Sequence, residues 1–291
     1  MNILDYPLSF ATPRRLTHTS FWRQHIPFAM FLVQLLEPEI VVELGTHYGD
    51  SYCAFCQAVS EIGLNTACYA VDTWQGDPHV GDYKSDVIED LRSHHDKLYS
   101  SFSTLVQSTF DEALSHFGDG TIDLLHIDGY HTYEAVLHDF ECWKPKLSSK
   151  GVVLFHDINV RERDFGVWKL WQEVKEEYPY FEFFHGHGLG LLAVGKEQRP
   201  AFREWLKETR EHAMAMRSFF FSLGERLDLL LRKAEFEEGE RPLREELKGK
   251  DQQVAHLRAE NARLRAFYDA VRATWAYRVY RLFLVPFKSG Y

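Results

Sequence analysis

Cysteine is scarce in this 291-residue chain: Cys53, Cys56, Cys68 and Cys142 are the four present, and only the first two lie close together. A disulfide framework is excluded on that count, and a reducing cytoplasm is the expected setting. No N-terminal apolar run resembles a signal peptide, and no stretch is long and apolar enough to span a bilayer. The C-A-F-C pair has no second pair at metal spacing, so it reads as helix packing rather than a zinc or redox site. Cations are scarce too, in the front of the chain. Residues 200–291 hold 18 Lys and Arg against 14 Asp and Glu, which leaves 15 against 29 for residues 1–199. An acidic front half argues against nucleic acid as a substrate, because phosphate backbones need clustered cations. The dinucleotide fingerprint G-x-G-x-x-G is also missing.

In its place stands Ile40 to Ser51, IVVELGTHYGDS, a buried strand running into a glycine turn and a helix. Gly45 and Gly49 let backbone approach a ligand closely, and the amides of the following helix start suit polar or anionic groups. Glu43 would be odd inside a core strand. It fits better near the strand's carboxyl end, where open α/β sheets bind ligands. The pattern E-x-G-x-x-x-G points away from NAD and toward another nucleoside cofactor. Thr46 and Ser51 in the turn belong to the same expected contact set.

The periodicity predicts an α/β chain of the doubly wound, Rossmann-like kind. A helix over Ser20 to Glu37, which Pro27 kinks or starts, precedes strands at Ile40 to Leu44, Ala67 to Val71, Leu105 to Gln107, Ile122 to Ile127 and Val152 to Phe155. Helices are expected between them at Ser51 to Ile62, Lys84 to Tyr99, Phe110 to Phe117 and Tyr133 to Trp143, and after them at Phe165 to Tyr178. Phe181 to Phe184 and Leu189 to Val194 then form a hairpin that closes a seven-stranded, mostly parallel sheet. Asp72 ends the second strand, where ribose hydroxyls are accepted in such folds. Trp74 sits in the loop TWQGDPHVGDY, able to lie on an adenine or sugar face or to pack. Ser108 follows the third strand.

Asp128 and Asp157 end the fourth and fifth strands, with His131 and His156 beside them. Carboxylates meeting at adjacent strand tips repel, a cost that a bound cation removes. Mg²⁺ held by Asp128 and Asp157 would lower the pKa of a substrate hydroxyl, and His131 could take its proton; His156 could be a further metal ligand, a base or a packed residue. Helix capping by each carboxylate is the alternative.

These motifs resemble the class I S-adenosylmethionine-dependent methyltransferases, and most closely the bacterial branch that modifies sugars and cell-surface glycans. VVELGTHYGDS resembles the cofactor loop, VDTWQGDPHVGDY the second-strand motif, and LLHIDGYHTYEAVLHDFECWKPKLSSKGVVLFHD the fourth- and fifth-strand segment, in order over residues 20–195. The resemblance implies that Glu43, Gly45 and Gly49 hold the methionine part of S-adenosylmethionine and Asp72 its ribose. It also implies an O-methyltransferase acting on a sugar hydroxyl. A small phenolic acceptor, or a non-catalytic scaffold in glycan assembly, are the other readings. In metal-using relatives an acidic pair follows the fifth strand; here the pair reads His156-Asp157, which departs from that pattern.

The expected domain plan is a catalytic domain over 1–199, a helical linker over 200–240, a coiled coil over 241–275 and a basic aromatic tail over 276–291. Heptad positions a (Leu247, Val254, Asn261, Tyr268, Trp275) and d (Lys250, Leu257, Leu264, Val271) predict a homodimer. The tail, with Arg278, Arg281 and Lys288 among its aromatics, suits a membrane surface at the inner face or contact with a glycosyltransferase.

Overall fold

Strands buried on both faces read as continuous apolar runs, and those foreseen from Ile40, Ile122 and Val152 are of that kind. The computed structural model of the protein describes residues 2–18, 21–77, 81–82 and 86–284. One sheet contains β1 (Ile40–Leu44), β2 (Ala67–Asp72), β3 (Ser103–Gln107), β4 (Ile122–Ile127), β5 (Leu147–His156), β6 (Tyr180–Phe183) and β7 (Leu189–Ala193). Their order is β3-β2-β1-β4-β5-β7-β6, with β7 antiparallel to both of its neighbours and the other pairs parallel.

Helices α1 (Ile26–Leu36), α2 (Asp50–Ile62), α3 (Asp86–Leu98), α4 (Phe110–Ala113), α5 (Tyr133–Trp143) and α6 (Val167–Val174) cover the two faces. Alternation along the strands divides the core. Val41, Leu124, Val152 and Leu154 join one apolar cluster with α1, α2 and α3. Val42, Leu125, Val153 and Phe155 join a second cluster with α5 and α6. The topology reverses between β1 and β4, so the carboxyl ends of these strands frame the crevice where such sheets take ligands.

Several boundaries differ from expectation. α1 begins at Ile26 rather than Ser20, and of the two roles expected of Pro27 it takes that of starting the helix, because its missing N–H costs nothing in a first turn. The helix after Ser108 is a single α turn capped by Thr109, followed by a 3-10 turn over Leu114–His116. β5 begins at Leu147 instead of Val152. Part of the loop over Trp74 to Tyr83 and the start of the following helix at Lys84 lie outside the described residues. The paired cysteines are buried and free, as packing requires.

The domain boundary also moves. The chain divides into compact units Met1–Leu231 and Arg232–Tyr291. In the first, α7 (Pro200–Glu211) and the start of α8 (Ala213–Ala273) bury Phe202, Trp205, Phe220 and Leu227. Trp205 and Phe220 pack on Phe28 of α1 at ring separations of 5.7 and 5.2 Å. Apolar residues that looked like a linker thus complete the core. In the second unit α8 continues through Gly239 and Pro242 without interruption, so the expected break between linker and coiled coil is not there. Leu247, Val254, Leu257, Leu264 and Val271 are exposed on it. α9 (Trp275–Leu284) follows, and residues 285–291, with Lys288, lie outside the described residues. Among the described residues no helix is long and apolar enough to cross a membrane.

Gly224 of α8 tests this docking. A Cβ there would lie 2.5 Å from the Gln24 carbonyl oxygen and 2.8 Å from its Cα. Alanine raises helix propensity by about 1 kcal/mol, but rigid backbone opposes it. Gly224→Ala should therefore lower the denaturant midpoint of the full chain, by a net of roughly 1–3 kcal/mol.

Candidate functional site

The turn after β1 is built so that two strand ends touch. Gly45 has φ +85°, and a Cβ on it would lie 2.1 Å from the Asp128 carbonyl oxygen. Its N–H donates to Val71 O of β2 at 2.9 Å, while Asp128 N–H donates to Leu44 O at 2.8 Å. Gly49, at φ +78°, caps the start of α2. The Asp72 carboxylate braces this turn: it accepts from the backbone N–H of Thr46 (2.8 Å), His47 (2.9 Å) and Trp74 (2.7 Å).

Above these ends lies a cavity of about 360 Å³, within the range of small-molecule sites. Gly45, Thr46, Gly49, Ser51 and Asp72 line it, as do Asp128, His131, His156 and Asp157. The hydroxyl of Thr46 is buried and has no hydrogen-bond partner among the described residues. Such an orphan on a cavity wall awaits a polar ligand atom. Together with the left-handed glycines it is the feature that fits a nucleoside cofactor here.

Three expected contacts stand elsewhere. Trp74 is 3% exposed and donates its ring N–H to His47 O at 3.0 Å, so it packs beneath the turn instead of lying over a ligand. Ser108 does not line the cavity; its hydroxyl donates to Thr109 O at 3.1 Å. Glu43 is fully buried behind the wall, and His126 Nδ1 donates to its Oε2 at 2.8 Å. Trp22 Nε1–H donates to His126 Nε2 at 3.1 Å, which fixes the tautomer. Burial raises the Glu43 carboxyl's pKa, opposed by the His126 hydrogen bond. The chain Glu43–His126–Trp22 thus holds an indole in the cavity wall.

Sequence reasoning missed Trp22 and His126. A signal existed: Glu43 and His126 are polar residues in two apolar strands, and the parallel register places them opposite each other. Phe21, Trp22, Phe110, Tyr130 and His187 add an aromatic lining, and the Phe21 and His187 rings stack at 4.6 Å.

At the other end of the cavity the carboxylates and imidazoles interlock. His131 Nε2 lies 2.9 Å from Asp157 Oδ2 and 3.7 Å from Asp128 Oδ1. His156 Nδ1 lies 3.2 Å from Asp128 Oδ1, and its Nε2 donates to Gly186 O at 3.0 Å. His187 Nδ1 is 3.0 Å from Asp157 Oδ1. Burial disfavours a charge on His156, yet Asp128 and Asp157 outweigh it and hold its pKa well above the usual value. Burial likewise opposes charge on His131, and the same two carboxylates raise it to about 9. Desolvation pushes the carboxyls up, but His156 and its neighbours keep both below the ordinary range.

This arrangement offers the two carboxylates a partner other than the expected metal. His156 donates its Nε2–H to Gly186 O and turns Nδ1 toward Asp128, where a proton on that nitrogen makes the ring an imidazolium. With His131 it balances the two carboxylates that a divalent ion was expected to neutralise. Asp128, His131 and Asp157 do place donor atoms within 4.8 Å of one another, but an ion there would have to displace the His131 proton. Of these three donors two are the oxygens that Mg²⁺ prefers and one is a nitrogen.

Residues 42–158 match the methyltransferase domain family. Over these residues the chain is similar to a methyltransferase domain. An uncharacterized protein, y4gI, of Sinorhizobium fredii is 50% identical over 197 residues, which is 68% of this chain and 21% of that protein. The chain therefore spans about a fifth of the length of this relative. Among solved structures, the chain is similar to TomG, an O-methyltransferase of Streptomyces achromogenes involved in tomaymycin synthesis, with 12% identity and a TM-score of 0.46, over 62% of this chain and 83% of that one. A methyltransferase of Podospora anserina, PaMTH1, has 13% identity and a TM-score of 0.44, over 58% and 76%.

The Asp157–His131 pair sets a stability window. Because the folded-state pKa of His131 is raised from 6.5 to about 9, its contribution is full below pH 6.5 and is lost as pH rises through about 9. Asp157→Asn, which tolerates the left-handed backbone found there (φ +60°), should narrow that window, with Asp128 left to hold the rest. Unfolding midpoints from pH 6 to 10 should decline in the parent chain and be flatter in the variant.

Proposed function

We propose that this chain is an S-adenosylmethionine-dependent O-methyltransferase whose acceptor is a sugar hydroxyl of a glycan or glycosylated metabolite. The observation that carries the reading is one cavity with a glycine-turn wall and an orphaned Thr46 hydroxyl at one end and the His131–Asp157 pair at the other. The methyltransferase domain match over residues 42–158 supports it. S-adenosylmethionine, when bound, supplies a methyl group on a sulfonium, open to in-line attack.

This chain's residues then align and deprotonate the acceptor. Gly45, Thr46, Gly49 and Ser51 hold the methionine end, with Glu43 acting from behind through His126. Asp72 shapes the turn and faces the ribose. His131 takes the hydroxyl proton, oriented by Asp157. The imidazolium of His156 keeps Asp128 ionised and in place. The aromatic lining of Phe21, Trp22 and Tyr130 suits the apolar face of a sugar ring. It suits a phenol as well, which is the second reading.

The test is transfer of a labelled methyl group to a panel of saccharides and phenols. Turnover on phenols alone would replace the sugar reading, and failure to bind S-adenosylmethionine or its demethylated product in calorimetry would end both. Asp128→Asn should lower turnover by about 10²-fold or more while cofactor binding persists. Since the base must be neutral and His131 has a pKa of about 9, kcat/KM should climb from pH 7 toward 9 and then level. Turnover should survive chelators, because histidines carry the charge that a metal would otherwise supply.

For the second unit, we propose pairing with a second copy through the exposed Leu247, Val254, Leu257, Leu264 and Val271, with Asn261 setting register. Analytical ultracentrifugation should give a dimer, and Leu257→Lys with Leu264→Lys should give a monomer.

A further inference from the structure

A second cluster of ligating side chains lies on the surface between α4 and α5, outside the site described above. His138 and Cys142 are spaced i, i+4 on α5 and so share a face. Asp111 reaches them from α4. Asp111 Oδ1 accepts from His138 Nε2 at 2.8 Å, and Cys142 Sγ lies 3.7 Å from the same nitrogen. The three donor atoms lie within 4.8 Å of one another.

We propose that Asp111, His138 and Cys142 form a site for a thiophilic divalent ion, Zn²⁺, with water as the fourth ligand. Zinc takes sulfur, nitrogen and oxygen together in tetrahedral geometry. With Zn–S about 2.3 Å and Zn–N about 2.05 Å, sulfur and nitrogen stand roughly 3.6 Å apart, close to the 3.7 Å found here. The Asp111–His138 contact has to open by a few tenths of an ångström as the ion takes the place of the shared proton. Both side chains are more than half exposed, so they are able to move. Of the four cysteines, Cys142 alone is not buried.

The ion would act as a clasp. Thr109 and Phe110, beside Asp111, line the ligand cavity, and Phe110 packs so tightly on the Asp128-Gly129 loop that a Cβ on Gly129 would lie 2.4 Å from its ring. Zinc tying α4 to α5 would steady that wall without entering the cavity.

The experiment uses the full, untagged chain titrated with Co²⁺ and then Zn²⁺. One equivalent of Co²⁺ should produce a near-ultraviolet sulfur-to-metal charge-transfer band, bleached by one equivalent of Zn²⁺. Zinc at a hundredfold excess over its Kd should raise Tm by roughly 5–10 °C. Cys142→Ser should abolish the band, and His138→Ala should weaken Zn²⁺ binding at least tenfold, with the metal-free Tm of each variant confirming its fold. Absence of the band, or a band and affinity unchanged in both variants, overturns the proposal.

Discussion

Two carboxylates at the tips of adjacent strands, Asp157 buried and Asp128 partly so, are the constraint around which the rest of this molecule is arranged. Ionised and unpaired, Asp128 and Asp157 would be too costly to bury. Imidazoles from three segments meet them: His131 after β4, His156 at the end of β5, and His187 in the turn before β7. Each segment is held by something else in turn. His156 is anchored through Gly186 O, and His131 stacks on Phe165 at 4.7 Å with ring planes 10° apart. The hairpin that closes the sheet therefore serves the site as well as the core.

A second buried pair works on the opposite side of the crevice. Glu43 and His126 face each other across the β1–β4 register, and their joint result is the position of Trp22. The two networks differ in kind. The Asp–His cluster balances charge beside the cavity, whereas Glu43 and His126 are sealed from it and transmit only geometry. Gly45 stands between them, where backbone touches backbone and no side chain fits.

Much of this was legible in the residues. Buried parallel strands announce themselves as apolar runs, and the glycines, Asp128 and Asp157 fall at strand ends where the doubly wound plan puts chemistry. What escaped was set by tertiary contact. That Trp74 packs under its turn depends on His47, and that Asp72 is filled by three amides depends on a turn conformation no spacing reveals. The helix pair after Pro200 looked like a linker because its apolar residues find partners only on α1, far away in sequence. The orientation of His156 escaped for a similar reason: Gly186 O takes one nitrogen, and only the fold brings it there.

The left-handed backbone of Asp157 has a consequence for how this protein can change. A side chain at φ +60° is tolerated best for glycine, asparagine and aspartate. Glutamate carries the same charge and would be the nearest chemical neighbour, yet the main chain disfavours it. Drift at this position is thus steered toward residues that keep the bend and discard the acid. A lineage that loses the charge would retain its shape, leaving a well-folded descendant in which His131 has one carboxylate fewer beside it.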